Sequence, residues 1–224
     1  MRALLTGLLG LFVLAAPARG IAGGQATPGA PPLPAAEAGG GRGGFSFAPA
    51  YAWDTVPVFG GARDRPRSML AVDLRLHRRI LSRDGLLLNY TAGLVPVELE
   101  GGTVVRDPVL GERKRTVYGA GVDPVGLFVL IGRGPLRLFS SLRGGVRLFE
   151  QSVPNPRGIR FDFTADFALG LAQRVGSRTW ITAGPEFHHL SNGGLGDFNP
   201  SLNYLAVHLG VLVTAPEARA SPAR

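Results

Sequence analysis

The chain contains no cysteine, so neither a disulfide framework nor a thiolate metal site is open to it, and stability must come from ordinary burial or a closed sheet. Histidine is nearly as scarce, with four residues in 224, and imidazole chemistry therefore has few places to reside. Long apolar runs are missing beyond the first residues. After Ala18 no stretch approaches the roughly 18 consecutive apolar residues a membrane-spanning helix needs, which excludes a helical anchor in that region. Negative charge is in short supply too, since 24 Lys and Arg oppose 16 Asp and Glu for a formal charge of +8. The arginines are scattered rather than clustered, which argues against nucleic acid as a partner and favours an anionic membrane surface.

What is present begins with Arg2 and the apolar stretch "ALLTGLLGLFVLAA", followed by Ala16-Pro17-Ala18. This fits a secretory signal over residues 1–18 with cleavage after Ala18. Residues 19–43 are rich in glycine, proline and alanine and read as a disordered leader that cannot pack a core. From residue 44 to 214 the composition changes to short alternating segments divided by turn signals such as "SRDG", "GRGP" and "VGSR". That is one domain of ordinary size, roughly 170 residues, and residues 215–224 read as a flexible tail.

The periodicity predicts eight strands, over residues 45–53, 68–80, 86–99, 116–132, 135–150, 158–174, 178–190 and 202–214. An even number of strands of about ten residues, alternating with period two, is the pattern of an eight-stranded antiparallel transmembrane β-barrel. In the second segment Leu70, Val72, Leu74 and Leu76 share a face opposite Asp73 and Arg75. Leu136, Leu138, Leu142, Val146 and Leu148 oppose Arg137, Arg143 and Arg147 in the same way, and the odd-numbered residues from Ile159 to Leu171 oppose Arg160, Asp162 and Asp166. A soluble sandwich would show the same alternation. The near balance of Arg75, Arg137, Arg143, Arg147 and Arg160 with Asp73, Asp162, Asp166 and Glu186 favours a narrow barrel filled by paired side chains, without a pore.

Chemistry concentrates in "FHHLSNGGLGDFNPSLNYL", residues 187–205. Carrying the alternation through it places His189, Ser191 and Asn203 on the apolar, lipid-directed face, where polar groups are costly unless they pair or act on something arriving there. A serine hydroxyl is a weak nucleophile until a base takes its proton, and a histidine two residues away on an extended strand lies on the same side. A third polar group must hold the imidazole in the right tautomer, and Asn203 on the neighbouring strand is placed to do so. Turn chemistry alone also accounts for Ser-Asn-Gly-Gly after a strand.

The run from His189 to Leu195, followed by Asn199-Pro200, resembles the lipid A 3-O-deacylase family, the PagL-like acyloxyacyl hydrolases of bacterial outer membranes. The stretches "GVDPVGL" and "FDFT" resemble its more distant members less specifically. The resemblance implies an outer-membrane barrel whose outside wall removes an ester-linked acyl chain from lipid A or a related glycolipid of lipopolysaccharide. It also implies Ser191 as nucleophile, His189 as general base, and Asn199 with the Gly194 amide as oxyanion donors. Where the family pattern has a glutamate twelve residues after the serine, this chain has Asn203. An asparagine can orient an imidazole but adds no charge to stabilise the imidazolium. A non-catalytic outer-membrane barrel, structural or lipid-binding, is the alternative.

No cofactor and no metal are expected. Glu186 and His188 lie two apart on the polar face, but two ligands are too few, and an ion pair or hydrogen bond suits them better. His77 and His208 read as structural, Asp197 as a loop carboxylate, and "GERKR" at 111–115 as a solvated loop, with phosphate contact the lesser reading. "IGRGP" and "AGGQ" lack the lysine and spacing of a phosphate loop. The alternation sets no oligomeric state. If the apolar faces meet lipid, cell fractionation will recover the protein in the outer membrane and its release will need detergent. Recovery in the soluble periplasmic fraction would return the reading to a sandwich.

Overall fold

Alternating strands must bury one face and hide their edges, and this chain does both by closing its sheet. The computed structural model describes residues 43–56 and 66–215. Eight strands run in order: β1 (Gly43–Ala52), β2 (Ser68–Arg83), β3 (Leu86–Asp107), β4 (Gly111–Ile131), β5 (Leu136–Val153), β6 (Ile159–Arg174), β7 (Thr179–Ser191) and β8 (Leu202–Thr214). Each is antiparallel to the next, and β1 pairs with β8 to close the barrel. The signal segment 1–18, all but Gly43 of the leader and residues 216–224 of the tail lie outside the described residues.

The two ends of the barrel differ. At the end where β1 starts and β8 finishes, strands are joined by short turns at residues 84–85, 132–135 and 175–178. The first is a two-residue hairpin turn in which Asp84 and Gly85 both have positive φ, 47° and 83°, the backbone that matches strand twist. The opposite end carries the longer β1–β2 and β7–β8 connections. Short turns inside and longer loops outside are the arrangement of outer-membrane barrels.

β3 and β4 run further than the alternation predicts, to 22 and 21 residues. The segment 111–115 is accordingly not a loop. It opens β4, exposed, and pairs with residues 103–107 of β3. The pairing persists because Asp107 closes the turn, its Oδ1 accepting the amides of Val109 (2.9 Å) and Leu110 (3.0 Å), while Arg113 pairs with Asp107 at 3.0 Å. Arg160 also departs from expectation. It is exposed at the start of β6, with Nε donating to the Phe149 carbonyl (2.7 Å), because the register shift between Leu148 and Val153 lifts that strand end clear of the packed interior.

Inside, the barrel is filled in layers. Near the short-turn end, Phe128 stacks on Phe139 (5.9 Å) and the Arg137 guanidinium lies 5.0 Å over the Trp180 ring. Near the loop end Met69, Phe149, Leu190, Leu202 and Tyr204 form a second apolar cluster. Between them sits an ionic layer centred on Arg143, which reaches Glu186 (2.7 Å), Asp166 (3.0 Å), Asp123 (3.3 Å) and Asp73 (3.3 Å). Arg147 holds Glu98 (2.5 Å) and Asp123 (2.7 Å), and Arg75 holds Asp73 (2.8 Å). Outside, residues such as Leu76, Leu138, Leu148, Leu171, Val207 and Leu209 are exposed, and lipid is the solvent that suits them.

Replacing Arg143 by methionine leaves four buried carboxylates without their shared cation. Urea unfolding in lipid vesicles, followed by Trp180 fluorescence, should show a loss of about 3–5 kcal/mol. Arg106→Ala, at an ion pair whose arginine is 73 % exposed, should stay within about 1 kcal/mol of wild type.

Candidate active site

The site lies where β7 meets β8 at the loop end, on the outer wall. Register pairs His189 with Asn203, and Ser191 with Phe163 of β6. Side chains alternate across a strand, so His188 and Leu190 fill the interior while His189 and Ser191 stand outside, half-buried. His189 is the joint of the arrangement. Its Nδ1–H donates to Asn203 Oδ1 at 2.6 Å, and its Nε2 lies 3.2 Å from Ser191 Oγ. A proton held on Nδ1 leaves a lone pair on Nε2 facing the hydroxyl, which is the tautomer a general base requires.

Asn203 differs from expectation in one respect. It shares the outer face with His189 but is 0 % exposed rather than open to lipid. The chain beyond β1 continues the ladder beside it: Val56 donates to the Asn203 carbonyl (2.8 Å), and Thr55 bridges to Tyr204. Its side chain is thereby held in a packed setting, which restricts the rotamers available to the group that orients the imidazole.

The β7–β8 loop is organised by Asn192, whose part in the site the sequence reading did not single out. Its backbone amide donates to Asn199 Oδ1 (3.0 Å), its Nδ2 donates to the Phe198 carbonyl (2.9 Å), and its Oδ1 accepts the Gly194 amide (3.0 Å). The signal was an asparagine directly after a strand, which commonly closes a turn on its own backbone. Gly193 and Gly194 follow with φ of 64° and 82°, a conformation that glycine adopts without the Cβ penalty. A Cβ at Gly193 would also meet the Phe163 ring at 3.0 Å. Asn199 uses its oxygen on the Asn192 amide, which turns its NH₂ group into the available half of the side chain. The Gly194 amide is engaged by Asn192 in this conformation.

The surroundings are apolar: exposed Phe163 on β6 and Leu205 on β8 flank the serine and histidine. Asp197 is exposed on the loop, and the imidazole partner is Asn203. Glu186 and His188 take separate partners inside the barrel, Glu186 meeting Arg143 and His208, and His188 meeting Asp166 at 2.5 Å. His77 bonds Ser46 (2.8 Å) and His208 meets Thr182 (3.1 Å), both as interior structural groups.

A family model described as lipid A 3-O-deacylase (PagL) matches residues 85–211, a span that includes His189, Ser191, Asn192, Gly194, Asn199 and Asn203. Among solved structures, the crystal structure of the outer membrane enzyme PagL aligns with a TM-score of 0.50 and 10 % identity, over 75 % of this chain and 97 % of that one. The solid-state NMR structure of outer membrane protein AlkL in lipid bilayers aligns with a TM-score of 0.34 and 14 % identity, over 86 % of this chain and 99 % of that one. No curated protein sequence matches.

Asn192→Ala should loosen the loop without unfolding the barrel. Each of the two side-chain hydrogen bonds it removes contributes about 1 kcal/mol. Hydrogen exchange at Gly194 and Leu195 should accelerate by roughly tenfold or more per such bond pair lost, while exchange in β7 and β8 is unchanged. Equal protection in the variant would mean that other contacts hold the loop.

Proposed function

The chain belongs to the lipid A 3-O-deacylase family and is an outer-membrane β-barrel, and from that premise we propose that it hydrolyses an ester-linked acyl chain of lipid A, or of a related glycolipid, with Ser191 as nucleophile. The observation that carries this reading is His189, bonded to Asn203 through one ring nitrogen and facing Ser191 through the other, on the wall where acyl chains lie.

The reaction follows from those contacts. His189 Nε2 accepts the Ser191 proton as Oγ attacks the ester carbonyl, whose electron pair moves to oxygen. Asn199 Nδ2 donates to that oxyanion. The Gly194 amide becomes the second donor on leaving Asn192 Oδ1, and donors of this kind contribute several kcal/mol, about 2.7–4 each where measured by removal. Collapse breaks the ester bond, and the imidazolium gives its proton to the departing sugar alkoxide, which leaves as a hydroxyl. Water, deprotonated by the same nitrogen, then attacks the acyl-serine, and the imidazolium passes that proton to Ser191 Oγ as the acyl–oxygen bond breaks and the fatty acid leaves. Asn203 keeps Nδ1 protonated throughout and supplies geometry rather than charge. Exposed Phe163 and Leu205 beside the serine suit the acyl chain.

Purified protein incubated with lipid A in detergent should release fatty acid, read by mass spectrometry, and Ser191→Ala should lower the rate by about 10⁴-fold or more. Equal release by wild type and variant would remove the nucleophile. No release by either would favour a non-catalytic lipid-binding barrel.

Asn203 offers a sharper test. Asn203→Ala should reduce kcat roughly a hundredfold, within the 10²–10⁴ that general-base catalysis contributes, and cost stability as well, because the position is fully buried. Asn203→Asp keeps the shape and adds a carboxylate next to Nδ1. Opposite charge favours the protonated imidazole, so the acidic limb of the pH–rate profile should move to higher pH while the plateau rises. A profile identical to wild type would show that residue 203 does not address the histidine.

A further inference from the structure

Glu98 and Glu100 of β3 meet His188 of β7 inside the barrel, each offering one atom within 4.8 Å of the others. All three are sealed, at 0 %, 0 % and 1 % exposure. Their other polar atoms are taken. Glu98 Oε2 accepts from Arg147 Nε (2.5 Å), Glu100 Oε2 accepts from the Tyr204 hydroxyl (2.5 Å), and His188 Nδ1 donates to Asp166 Oδ1 (2.5 Å). What remains is Glu98 Oε1, Glu100 Oε1 and His188 Nε2, and none of these has a hydrogen-bond partner. With the ring proton on Nδ1, Nε2 presents a lone pair to the carboxylate oxygens, the Glu98 oxygen at 3.5 Å. Three electron-rich atoms converging in an interior sealed from bulk solvent repel one another unless positive charge lies between them.

The wider interior points the same way. Among the described residues, seven buried carboxylates face five buried guanidinium groups. With the three buried histidines His77, His188 and His208 neutral, the shortfall matches the charge of one divalent cation.

We propose that Glu98, Glu100 and His188 bind one divalent transition-metal ion of the zinc class inside the barrel, behind the wall that carries Ser191. One imidazole and two carboxylates are a zinc donor set, and ligand atoms about 2.0–2.1 Å from a tetrahedral ion stand roughly 3.3 Å apart, close to the observed 3.5 Å. Calcium and magnesium prefer oxygen alone. Asp166 supplies the carboxylate that orients a metal-bound histidine and sets its tautomer. A water completes the fourth position. The ion is structural, since its ligands face away from the serine. It clips β3 to β7 across the interior, and Tyr204, bonded to Glu100, extends the clip to β8. His188 and Tyr204 are the chain neighbours of His189 and Asn203, so the clip braces the wall beneath that pair.

The test uses the full protein, folded in detergent or lipid with zinc chloride and then freed of loose metal on a chelating column. Elemental analysis should find about one zinc per chain in wild type and less than a tenth of that in Glu100→Gln. Glutamine nearly preserves the shape of Glu100 and can still accept the Tyr204 hydroxyl, so far-UV circular dichroism should report an intact barrel. X-ray absorption at the zinc edge of wild type should show one imidazole nitrogen among oxygen ligands, and this holds the proposal to account even where a variant misfolds. A folded wild type without zinc would mean that protons fill the site. Full zinc retention in Glu100→Gln, or a shell of several imidazoles or of oxygen alone, would place the metal elsewhere. Any of these overturns the proposal. None of the readouts depends on hydrolysis, so the result stands apart from that of Ser191→Ala.

Discussion

Everything in this molecule depends on one requirement: in a bilayer, every strand amide and carbonyl must find its partner within the sheet. Joining β1 to β8 meets it by removing both edges. Closure at eight strands leaves an interior with room for side chains and little else, and this chain fills it with charge as well as hydrocarbon. Arg143 touching four carboxylates is the centre of that filling. The cluster is a costly way to stabilise a protein, since burying ions forfeits their hydration. It does fix which residues face inward, because a one-residue slip of β2 or β5 would put an arginine into lipid.

Much of the architecture was legible from that alternation. The strands β5 and β6 show it cleanly, with Arg143 and Arg147 on one and Asp162 and Asp166 on the other all inside. The chain was opaque where the alternation breaks. In β3 the interior residues are Leu87, Asn89, Thr91 and Val95, then Glu98 and Glu100, then Thr103 and Val105. The parity flips after Val95 and flips back after Glu100, at the register shifts beside Pro96 and at Gly101-Gly102. β4 flips once, at the shift between Val122 and Val125, so that Val117 and Asp123 face inward on odd numbers and Phe128 and Leu130 on even ones. Period-two reading carries a face assignment only as far as the next bulge. The three carboxylates it missed lie beside those breaks, and two of them belong to the His188 cluster.

The site was legible for a related reason. β7 is unbroken from Thr179 to Ser191, so counting by twos places His189 and Ser191 together, and the β8 register brings Asn203 opposite. Burial of Asn203 could not be read in this way, because it depends on chain from beyond β1 lying alongside. Nor could the loop, whose geometry rests on one asparagine with four simultaneous bonds, two through its side chain and two through its backbone.

With Ser191 as the proposed nucleophile, its placement on the outer wall has a kinetic meaning. A molecule that reaches it travels within the leaflet and arrives edge-on between its neighbours, without entering from water. The encounter is two-dimensional. The concentration that governs occupancy is then the mole fraction of the lipid in the surrounding monolayer, whatever the bulk amount. Saturation measured against bulk concentration would drift with the amount of detergent or diluting lipid, and only surface fraction would bring the curves together. The neighbours of the barrel, packed against Phe163 and Leu205, compete for the same stretch of wall and set how often it is free.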